Sequence, residues 1–235
     1  MKAIILAGGR GSRLMPLTEN IPKPLVSILD KPILWYIFKL LNKYNITQVG
    51  VTLGYKGEEI KKQQERFYSK GIEVTFFEEK SPLGTAGCIL NAKEFLDEDF
   101  VILSGDALTD INLDEFIDFH YEKGGLASLA VKQVEDPSSF GVIVKDGNGL
   151  ITNFQEKPQN PLSNLASTGI YVMSKDILKE IPEGFCDFAK DVFPKLLGKL
   201  YAMQTNCYWT DVGTLASYRQ AVRQMAKRGS STLWT

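Results

Sequence analysis

The sequence predicts an α/β fold built on a mostly parallel sheet. Three observations support this prediction. Apolar runs of strand length alternate with segments of helical spacing in the first half, glycine or polar residues follow the strands, and 235 residues with 44% hydrophobic content can bury a large core. Such alternation is typical of a parallel sheet with helices on both faces. We therefore expect ligands to bind beyond the carboxyl ends of the strands.

The elements of the first half follow from the spacing of apolar residues. Continuous apolar runs predict strands at 2–6, 48–53, 72–77 and 100–103. Helical spacing predicts helices at 33–44, 58–67 and 85–95. Pro32 suits the first turn of the helix at 33–44, because proline lacks the N–H that is unpaired at that position.

The second half is less regular but contains both kinds of element. Strands are predicted at 127–132, 141–145, 151–156 and 167–173, and helices at 187–197 and 215–227. Asp146-Gly147 is typical of a hairpin turn between two strands. Because the sequence contains no internal repeat, low-complexity tract or linker, we predict one domain over residues 1–235.

The composition excludes several functional classes. Lys and Arg number 27 against 28 Asp and Glu, so the net charge of -1 predicts no nucleic-acid partner and no attachment to an anionic membrane. No apolar stretch approaches the roughly 20 residues that span a bilayer. Three cysteines without CxxC spacing argue against a disulfide framework, and His120 is the only histidine. We therefore predict a cytoplasmic protein without a histidine-based site.

A glycine-rich loop follows the first predicted strand and reads LAGGRGSRLMPLTENIPKPL over residues 6–25. Its glycines allow backbone N–H groups to approach phosphate oxygens. The loop lacks the GxxxxGK[ST] pattern, and Leu14 stands where a dinucleotide fingerprint has its third glycine. Arg13 and Lys23 instead bracket the loop with cations suited to a triphosphate and a departing pyrophosphate. A plain strand-to-helix turn explains the glycines alone, but not the whole string.

From Gly9 to Pro24 the loop resembles the signature of the sugar-1-phosphate nucleotidyltransferase family, GxGxRLxPLTxxxPKP, with Ser12 where the family more often has threonine. The resemblance implies a Rossmann-like, three-layer α/β/α fold with a mixed, mostly parallel central sheet, of the nucleotide-diphospho-sugar transferase type. It also implies Mg²⁺ as cofactor and a nucleoside triphosphate and a sugar 1-phosphate as partners. A homodimer is the candidate assembly. Many relatives continue into a left-handed β-helix, whose hexapeptide repeats we do not find and do not expect.

The resemblance assigns nucleotide binding to the loop and to two later segments. The implied residues are Leu6, Ala7, Gly8, Gly9, Gly11, Ser12, Arg13, Lys23, Pro82, Gly84, Thr85 and Asp106. The segment SPLGTAG at 81–87 resembles relatives that use purine triphosphates, although a loop before a helix explains it equally. Together, EEKSPLGTAG, LSGDALTD and DFAKDVFP are most similar to mannose-1-phosphate guanylyltransferase domains.

Two aspartates are candidate metal ligands. Asp106 follows the strand predicted at 100–103, and Asp211 lies far away in YWTDVGT. Carboxylates without a nearby histidine suit Mg²⁺. Spacing alone does not separate metal ligands from turn or cap residues. The resemblance of both segments to the family's metal-binding segments assigns Mg²⁺ to Asp106 and Asp211. Together with Arg13 and Lys23, they are the predicted catalytic residues.

The sugar side is implied by the same resemblance. The assigned residues are Gly141, Glu156, Lys157, Thr168, Gly169 and Lys190. In the family, the acid of EKP binds sugar hydroxyls and the lysine binds the sugar phosphate, which suits a carboxylate acceptor and an ammonium point charge. An exposed charge pair before a proline turn explains Glu156 and Lys157 as well. A solvated lysine on an amphipathic helix explains Lys190.

The predicted reaction transfers a nucleoside monophosphate to a sugar 1-phosphate with release of pyrophosphate, with GTP and mannose 1-phosphate favoured. Adenylyl, thymidylyl or uridylyl transfer to glucose 1-phosphate is an alternative. A glycosyltransferase that consumes nucleotide-sugars can share the fold and a metal-binding aspartate, but it has no pyrophosphate to expel. A catalytically silent subunit and a transferase for a non-sugar phosphate, such as phosphocholine, are further alternatives.

Overall fold

The computed structural model describes residues 1–67 and 71–228. Its strands, in chain order, are β1 (Lys2–Leu6), β2 (Ser27–Ile28), β3 (Lys31–Pro32), β4 (Gln48–Leu53), β5 (Glu73–Glu78), β6 (Phe100–Ser104), β7 (Ala107–Thr109), β8 (Ala127–Gln133), β9 (Gly141–Lys145), β10 (Ile151–Glu156), β11 (Leu165–Met173), β12 (Leu200–Gln204) and β13 (Trp209–Asp211). Its α-helices are α1 (Ile33–Lys43), α2 (Gly57–Lys62), α3 (Gly84–Gly87), α4 (Leu113–Lys123) and α5 (Leu215–Arg228).

Three predicted helices are shorter or less regular than expected. The helix predicted at 58–67 is α2 followed by a 3₁₀ turn at Gln64–Arg66. The one predicted at 85–95 is α3 followed by a 3₁₀ turn at Cys88–Ala92. The one predicted at 187–197 consists of a π-helical turn at Phe188–Val192 and a 3₁₀ turn at Phe193–Leu196. In this last case Pro194 removes a backbone donor, which prevents a regular α-helix.

The chain forms two compact units. The amino-terminal unit comprises Lys2–Ser81, Leu103–Ile111 and Cys207–Thr235, of which residues 68–70 and 229–235 lie outside the described part. The central unit comprises Met1, Pro82–Ile102 and Asn112–Asn206, so the boundary falls within β6. Single-domain organisation over residues 1–235, without a β-helix, stays a prediction.

The amino-terminal unit is built on parallel strands. β1 pairs with β4 and β4 with β5, with Ala3 opposite Val49 and Val49 opposite Val74. The inner residues of β1 are fully buried, as expected for parallel strands covered on both faces. The N–H of Ala7 donates to the carbonyl of Thr52 at 3.1 Å, and that of Tyr55 to the carbonyl of Gly8 at 3.1 Å. The glycine-rich loop therefore begins at the carboxyl ends of these strands.

The central unit combines antiparallel and parallel pairs. β9 pairs with β10 and β8 with β11 in antiparallel fashion, whereas β12 runs parallel to β8. Aromatic rings of Phe154, Tyr171, Phe188 and Phe193 pack on one another, with centroids 5.2 to 6.1 Å apart. The antiparallel and parallel strand pairs of this unit, together with the parallel strands of the other unit, confirm the predicted mixed β-structure with helices.

Local sequence features explain where the helices begin and which faces they bury. α1 buries an apolar stripe that includes Leu34, Ile37, Phe38 and Leu41, and it begins after Pro32 as predicted. α4, which the sequence analysis did not identify, begins where the Asn112 side chain accepts from the Glu115 N–H at 3.3 Å. Within residues 1–67 and 71–228, no helix combines the length and apolar character that crossing a bilayer requires.

Candidate active site

The glycine-rich loop of the amino-terminal unit turns tightly against Lys23. Gly11 has φ +65°, a left-handed conformation that favours glycine. A Cβ added there would lie 3.1 Å from Lys23 Cβ and 3.2 Å from Thr18 Cγ2. The Thr18 hydroxyl donates to the carbonyl of Gly11 at 2.8 Å. Gly11 therefore provides both the turn and the space for the stem of Lys23.

The other two glycines of the loop differ in surroundings. A Cβ on Gly8 would lie 2.5 Å from Glu79 Oε1, so the end of the Glu79 side chain would have to move, and 3.4 Å from the backbone nitrogen of Gly54. A Cβ on Gly9 would have no atom within 4 Å. Gly9 therefore lies in open space, where a ligand can approach the backbone.

Ser12 and Arg13 begin a short 3₁₀ turn that ends at Leu14. Leu14 is fully buried, whereas Ser12 and Arg13 are exposed. The buried leucine thus fixes the turn and leaves the guanidinium of Arg13 available to a ligand.

Lys23 is a buried cation shared by two carboxylates. The residue is 8% exposed, and its Nζ donates to Asp106 Oδ2 and lies 3.4 Å from Asp211 Oδ1. Asp106 follows β6. Asp211 ends β13, which pairs with β7 so that Asp211 lies opposite Ala107. Two aspartates more than a hundred positions apart in sequence therefore meet at one ammonium.

Burial and charge oppose each other in this cluster. Burial lowers the pKa of Lys23, but the charges of Asp106 and Asp211 outweigh it and raise the pKa above its usual 10.5. Burial opposes ionisation of Asp106 too, but the charge of Lys23 and hydrogen bonds from Lys23 and Ser104 hold its pKa below 3.8. Burial, and then the charge of Asp106, raise the pKa of Asp211, against the lowering effects of Lys23 and Arg13. One carboxylate is therefore firmly ionised, and its neighbour resists ionisation.

The donor set of this cluster fits Mg²⁺. Asp106 and Asp211 present hard oxygen ligands to one point, which already attracts a cation in the form of the Lys23 ammonium. Across the described residues, no group of three or more His, Cys, Asp or Glu side chains gathers in a way that could hold a metal. The remaining ligands would have to be phosphate oxygens and water, an arrangement that Mg²⁺ commonly adopts.

The predicted base-binding segment lies in the central unit, where it packs against and hydrogen-bonds to the loop before Phe188. Gly84 has φ +75°, and a Cβ there would lie 2.4 Å from the carbonyl oxygen of Cys186. The Thr85 hydroxyl donates to Asp187 Oδ2 at 3.0 Å and accepts from the Phe188 N–H at 3.0 Å. Thr85 thus has an internal structural role, while Pro82, before it, is exposed.

The EKP segment, in the same unit, contains an ion pair between Glu156 and Lys157, and the backbone of Lys157 is strained. Glu156 ends β10 opposite Gly141, and a Cβ on Gly141 would lie 3.4 Å from Glu156 Oε2 and 2.7 Å from Phe154 Cζ. Lys157 has φ +47° and places its Nζ 2.9 Å from Glu156 Oε1. A left-handed residue other than glycine costs about 1 to 3 kcal/mol, and such strain concentrates at functional sites.

The other predicted sugar residues have diverse environments. Thr168 and Gly169 lie where the register of β11 shifts against β8, and Gly169 has φ +74°. Thr168 is 3% exposed, and its hydroxyl donates to the carbonyl of Ala130 at 2.8 Å. Lys190 is exposed on the π-helical turn. The side chain of Thr168 is thus directed at the sheet, whereas Lys190 is accessible.

The structure brings the predicted residues together in two groups, each described within its own unit. Those of the amino-terminal unit are Leu6, Ala7, Gly8, Gly9, Gly11, Ser12, Arg13, Lys23, Asp106 and Asp211. Those of the central unit are Pro82, Gly84, Thr85, Gly141, Glu156, Lys157, Thr168, Gly169 and Lys190. Their functional roles stay predictions.

Sequence analysis missed the residues that position these groups. Ser104 donates to Asp106, Thr18 holds Gly11, and Asp187 accepts from Thr85. Ser104 and Asp187 both stand within segments quoted for the family resemblance, which was the available signal. Their partners are fixed by tertiary contacts, which spacing along the chain does not reveal.

Comparison with known proteins decides the family. The family model described as nucleotidyl transferase matches residues 2–228. The chain belongs to the nucleotidyl transferase family. A similar member is named UTP–glucose-1-phosphate uridylyltransferase, from Synechocystis, 37% identical over 97% of this chain and 64% of the relative. Another is the mannose-1-phosphate guanylyltransferase catalytic subunit beta of Danio rerio, 38% identical over 96% of this chain and 67% of the relative. The chain thus spans about two thirds of the length of these relatives.

Similarity to solved structures supports the same family assignment for this nucleotidyl transferase. HddC from Yersinia pseudotuberculosis superposes with a TM-score of 0.84 at 28% identity, covering 95% of this chain and 99% of HddC. A putative glucose-1-phosphate thymidylyltransferase from Bacillus anthracis, solved with a sucrose, gives 0.86 at 26% identity, covering 100% and 98%. These likenesses confirm the predicted fold class, that of the nucleotide-diphospho-sugar transferases.

Proposed function

We propose that this chain transfers a nucleoside monophosphate from a nucleoside triphosphate to a sugar 1-phosphate, giving a nucleotide-sugar and pyrophosphate. The observation that carries the proposal is the ammonium of Lys23 held between Asp106 and Asp211, in the unit that also holds the glycine-rich loop. Membership of the nucleotidyl transferase family and the names of two relatives support the same reaction class.

The proposed reaction needs no side-chain nucleophile. An oxygen of the sugar phosphate, already ionised at neutral pH, forms a bond to the α-phosphorus while the bond to the pyrophosphate oxygen breaks on the opposite side. The protein contributes alignment and charge. Arg13 stabilises the leaving pyrophosphate, and Lys23 binds on the triphosphate side.

The acidic and sugar-side residues complete the proposal. Asp106 and Asp211 would hold Mg²⁺, which when bound supplies positive charge to the phosphate oxygens. Glu156 accepts hydrogen bonds from sugar hydroxyls, and Lys157 positions the attacking phosphate. The strained backbone of Lys157 and its 2.9 Å contact with Glu156 support a joint role for the pair.

We propose GTP and mannose 1-phosphate as the preferred substrates. The similarity of three segments to mannose-1-phosphate guanylyltransferase domains and the relatives of that name support this choice. Uridylyl transfer to glucose 1-phosphate is the second candidate, because the Synechocystis relative carries that name at 37% identity. We expect a cytoplasmic enzyme, with a homodimer as the candidate assembly.

A substrate matrix tests the proposal. Pyrophosphate release is measured with GTP, ATP, dTTP, UTP and CTP, each against mannose, glucose and heptose 1-phosphates and phosphocholine, in the presence of Mg²⁺. We expect the highest kcat/KM for GTP with mannose 1-phosphate. Absence of pyrophosphate with every sugar 1-phosphate would contradict the reaction class. Consumption of a nucleotide-sugar with an acceptor sugar, without pyrophosphate, would establish the glycosyltransferase alternative.

A further inference from the structure

The ammonium of Lys23 is positioned against both carboxylates that the proposed function gives to a metal ion. Nζ donates to Asp106 Oδ2 and lies 3.4 Å from Asp211 Oδ1. Its side chain is 10% exposed, compared with 28% for each aspartate. The protein thus supplies its own counter-cation at the point where the two acids converge.

The backbone of Lys23 is held by its neighbours in sequence, whereas its side chain is held by the two carboxylates. Proline stands on both sides, at Pro22 and Pro24, and the 3₁₀ turn at Lys23–Leu25 is closed by a 3.0 Å bond from the Val26 N–H to the Lys23 carbonyl. The four-carbon stem has rotatable bonds, so Nζ can move several ångströms while Cα stays in place. Movement of the ammonium therefore requires no change in the fold.

An ammonium and a divalent cation cannot share this site at low cost. When both carboxylates are ionised, they and the ammonium of Lys23 sum to one negative charge, and Asp211 is the acid that resists ionisation. Adding Mg²⁺ beside that ammonium brings like charges within a few ångströms, where repulsion is strong in a partly buried setting. An anion that receives the displaced ammonium removes this repulsion.

We propose that Lys23 is a displaceable counter-cation, which holds Asp106 and Asp211 together in the ligand-free protein and moves onto phosphate when a divalent ion binds. This inference rests on the proposed function for the identity of the anion. It means that metal alone binds weakly, and that phosphate and metal strengthen each other's binding.

The test measures metal affinity without any substrate. Mn²⁺ binding is followed by electron paramagnetic resonance for the wild type, Lys23→Met and Lys31→Met. Lys31 is a half-buried lysine of the same unit that contacts Asp30 at 3.8 Å, so its variant controls for the loss of one charge. We expect Lys23→Met to bind Mn²⁺ about tenfold more tightly or better, because the competing charge is removed. We expect Lys31→Met to match the wild type.

A second measurement uses the unaltered protein, in case Lys23→Met does not fold. The side-chain ¹⁵Nζ signal of Lys23 is followed by NMR during a Mg²⁺ titration, with Na⁺ at equal ionic strength as control. We expect Mg²⁺, and not Na⁺, to shift the signal in parallel with the carboxyl signals of Asp106 and Asp211. A Lys23 signal that stays constant while the carboxyl signals saturate would overturn the inference.

The remaining outcomes are equally decisive. Equal or weaker Mn²⁺ binding by Lys23→Met, or no Mn²⁺ binding by any of the three proteins, overturns the proposal. The experiment contains no nucleotide and no sugar phosphate. If the wild type fails the substrate matrix, the metal result still stands. If the wild type is an active transferase but Lys23→Met binds Mn²⁺ with unchanged affinity, only the counter-cation role is rejected.

Discussion

At the residue scale, the two arginines of the glycine-rich loop make a matched pair. Arg13 is exposed and its charge acts on Asp211, whereas Arg10 is exposed and lies over the ring of Tyr55 at 5.6 Å. We expect Arg13→Ala to lower kcat about 100-fold to 1,000-fold, because the charge that we propose stabilises the leaving group is lost. Steady-state rates of pyrophosphate release measure this. Arg10→Ala serves as control, and similar losses in both variants would argue against a specific role for Arg13.

The aspartate pair makes a prediction about ionisation. Burial and the charge of Asp106 both raise the pKa of Asp211. Replacing Asp106 by asparagine removes the second cause and keeps Lys23 nearby, so the pKa of Asp211 should fall. Carboxyl ¹³C NMR titration of Asp106→Asn and wild type measures the shift. An unchanged Asp211 titration would show that the two groups do not interact.

Tyr208 has a buried hydroxyl that forms no hydrogen bond within the described part of the chain. The residue is 8% exposed, and burial raises its pKa to about 12, with Arg228 lying 4.7 Å from the ring centroid. Removing an unpaired buried group is favourable, so Tyr208→Phe should raise the free energy of unfolding by about 1 kcal/mol. Urea denaturation measures it. Tyr36→Phe provides the opposite case, because the Tyr36 hydroxyl donates to the carbonyl of Ile28 at 2.9 Å. Loss of this hydrogen bond should lower the free energy of unfolding.

At the element scale, the contact between α3 and the segment before the π-helical turn depends on glycine. The N–H groups of Ala86 and Gly87 donate to the carbonyl of Cys186 at 2.9 and 3.0 Å. This close approach leaves no room for a side chain at Gly84 or Gly87, where an added Cβ would lie 2.4 Å from Cys186 O and 2.2 Å from Gly184 O. The SPLGTAG segment therefore has a packing reason for its glycines, independent of any base that it binds.

Gly84→Ala should destabilise the protein by about 2 kcal/mol or more. The substitution meets both a backbone clash and a left-handed φ of +75°. Gly147→Ala in the β9–β10 hairpin is the control, because a Cβ there has no atom within 4 Å and its effect should stay within about 0.5 kcal/mol. Chemical denaturation of both variants measures the difference. Equal effects would show that the clash is relieved by a shift of the loop.

At the scale of the whole molecule, the loss of stability on mild acidification should trace to one residue. His120, the only histidine, is 2% exposed, with its Nδ1 3.0 Å from the Ser128 hydroxyl. Burial lowers its pKa below 6.5, against a smaller raising effect of Asp99. The unfolded chain therefore takes up a proton first, so stability is full above about pH 6.5 and falls as the pH drops toward the folded pKa. Asp211, with its raised pKa, acts in the opposite direction.

Thermal unfolding between pH 7.5 and 5 measures this slope. We expect the wild type to lose stability over this range and His120→Gln to lose less, because glutamine does not titrate. A wild-type slope that persists in full in His120→Gln would assign the effect to other groups. Lys23 and Asp106 do not contribute here, because their pKa values are displaced above 10.5 and below 3.8.

Much of the fold was predictable from local patterns. β1, β4 and β9 have the predicted bounds, because buried strands leave continuous apolar runs. The short β13 was not predicted, since its three residues lack such a run, and it is defined by pairing with β7. The division into two units was not predicted either, because it depends on contacts between distant segments rather than on linker composition.

In the candidate site, too, some features were predictable from the sequence and others were not. The resemblance to the family's motifs predicted Arg13, Lys23, Asp106 and Asp211, whose residue types suit phosphate and Mg²⁺, and their roles stay predictions. The shared ion pair of Lys23 was not predicted, since the sequence analysis gave the lysine to phosphate and the aspartates to metal. Charge alone made both partnerships possible, and only the three-dimensional arrangement reveals the ion pair.

The three charged groups of the Lys23 cluster come from the three separate stretches of the amino-terminal unit. During synthesis on the ribosome, the ammonium and the first carboxylate emerge early, but the second carboxylate follows only after the whole central unit has been made. A nascent or truncated chain that ends before Asp211 therefore has half of the acid pair. Such fragments cannot form the complete cluster, so the acid pair is assembled only once the chain has been made at least as far as Asp211.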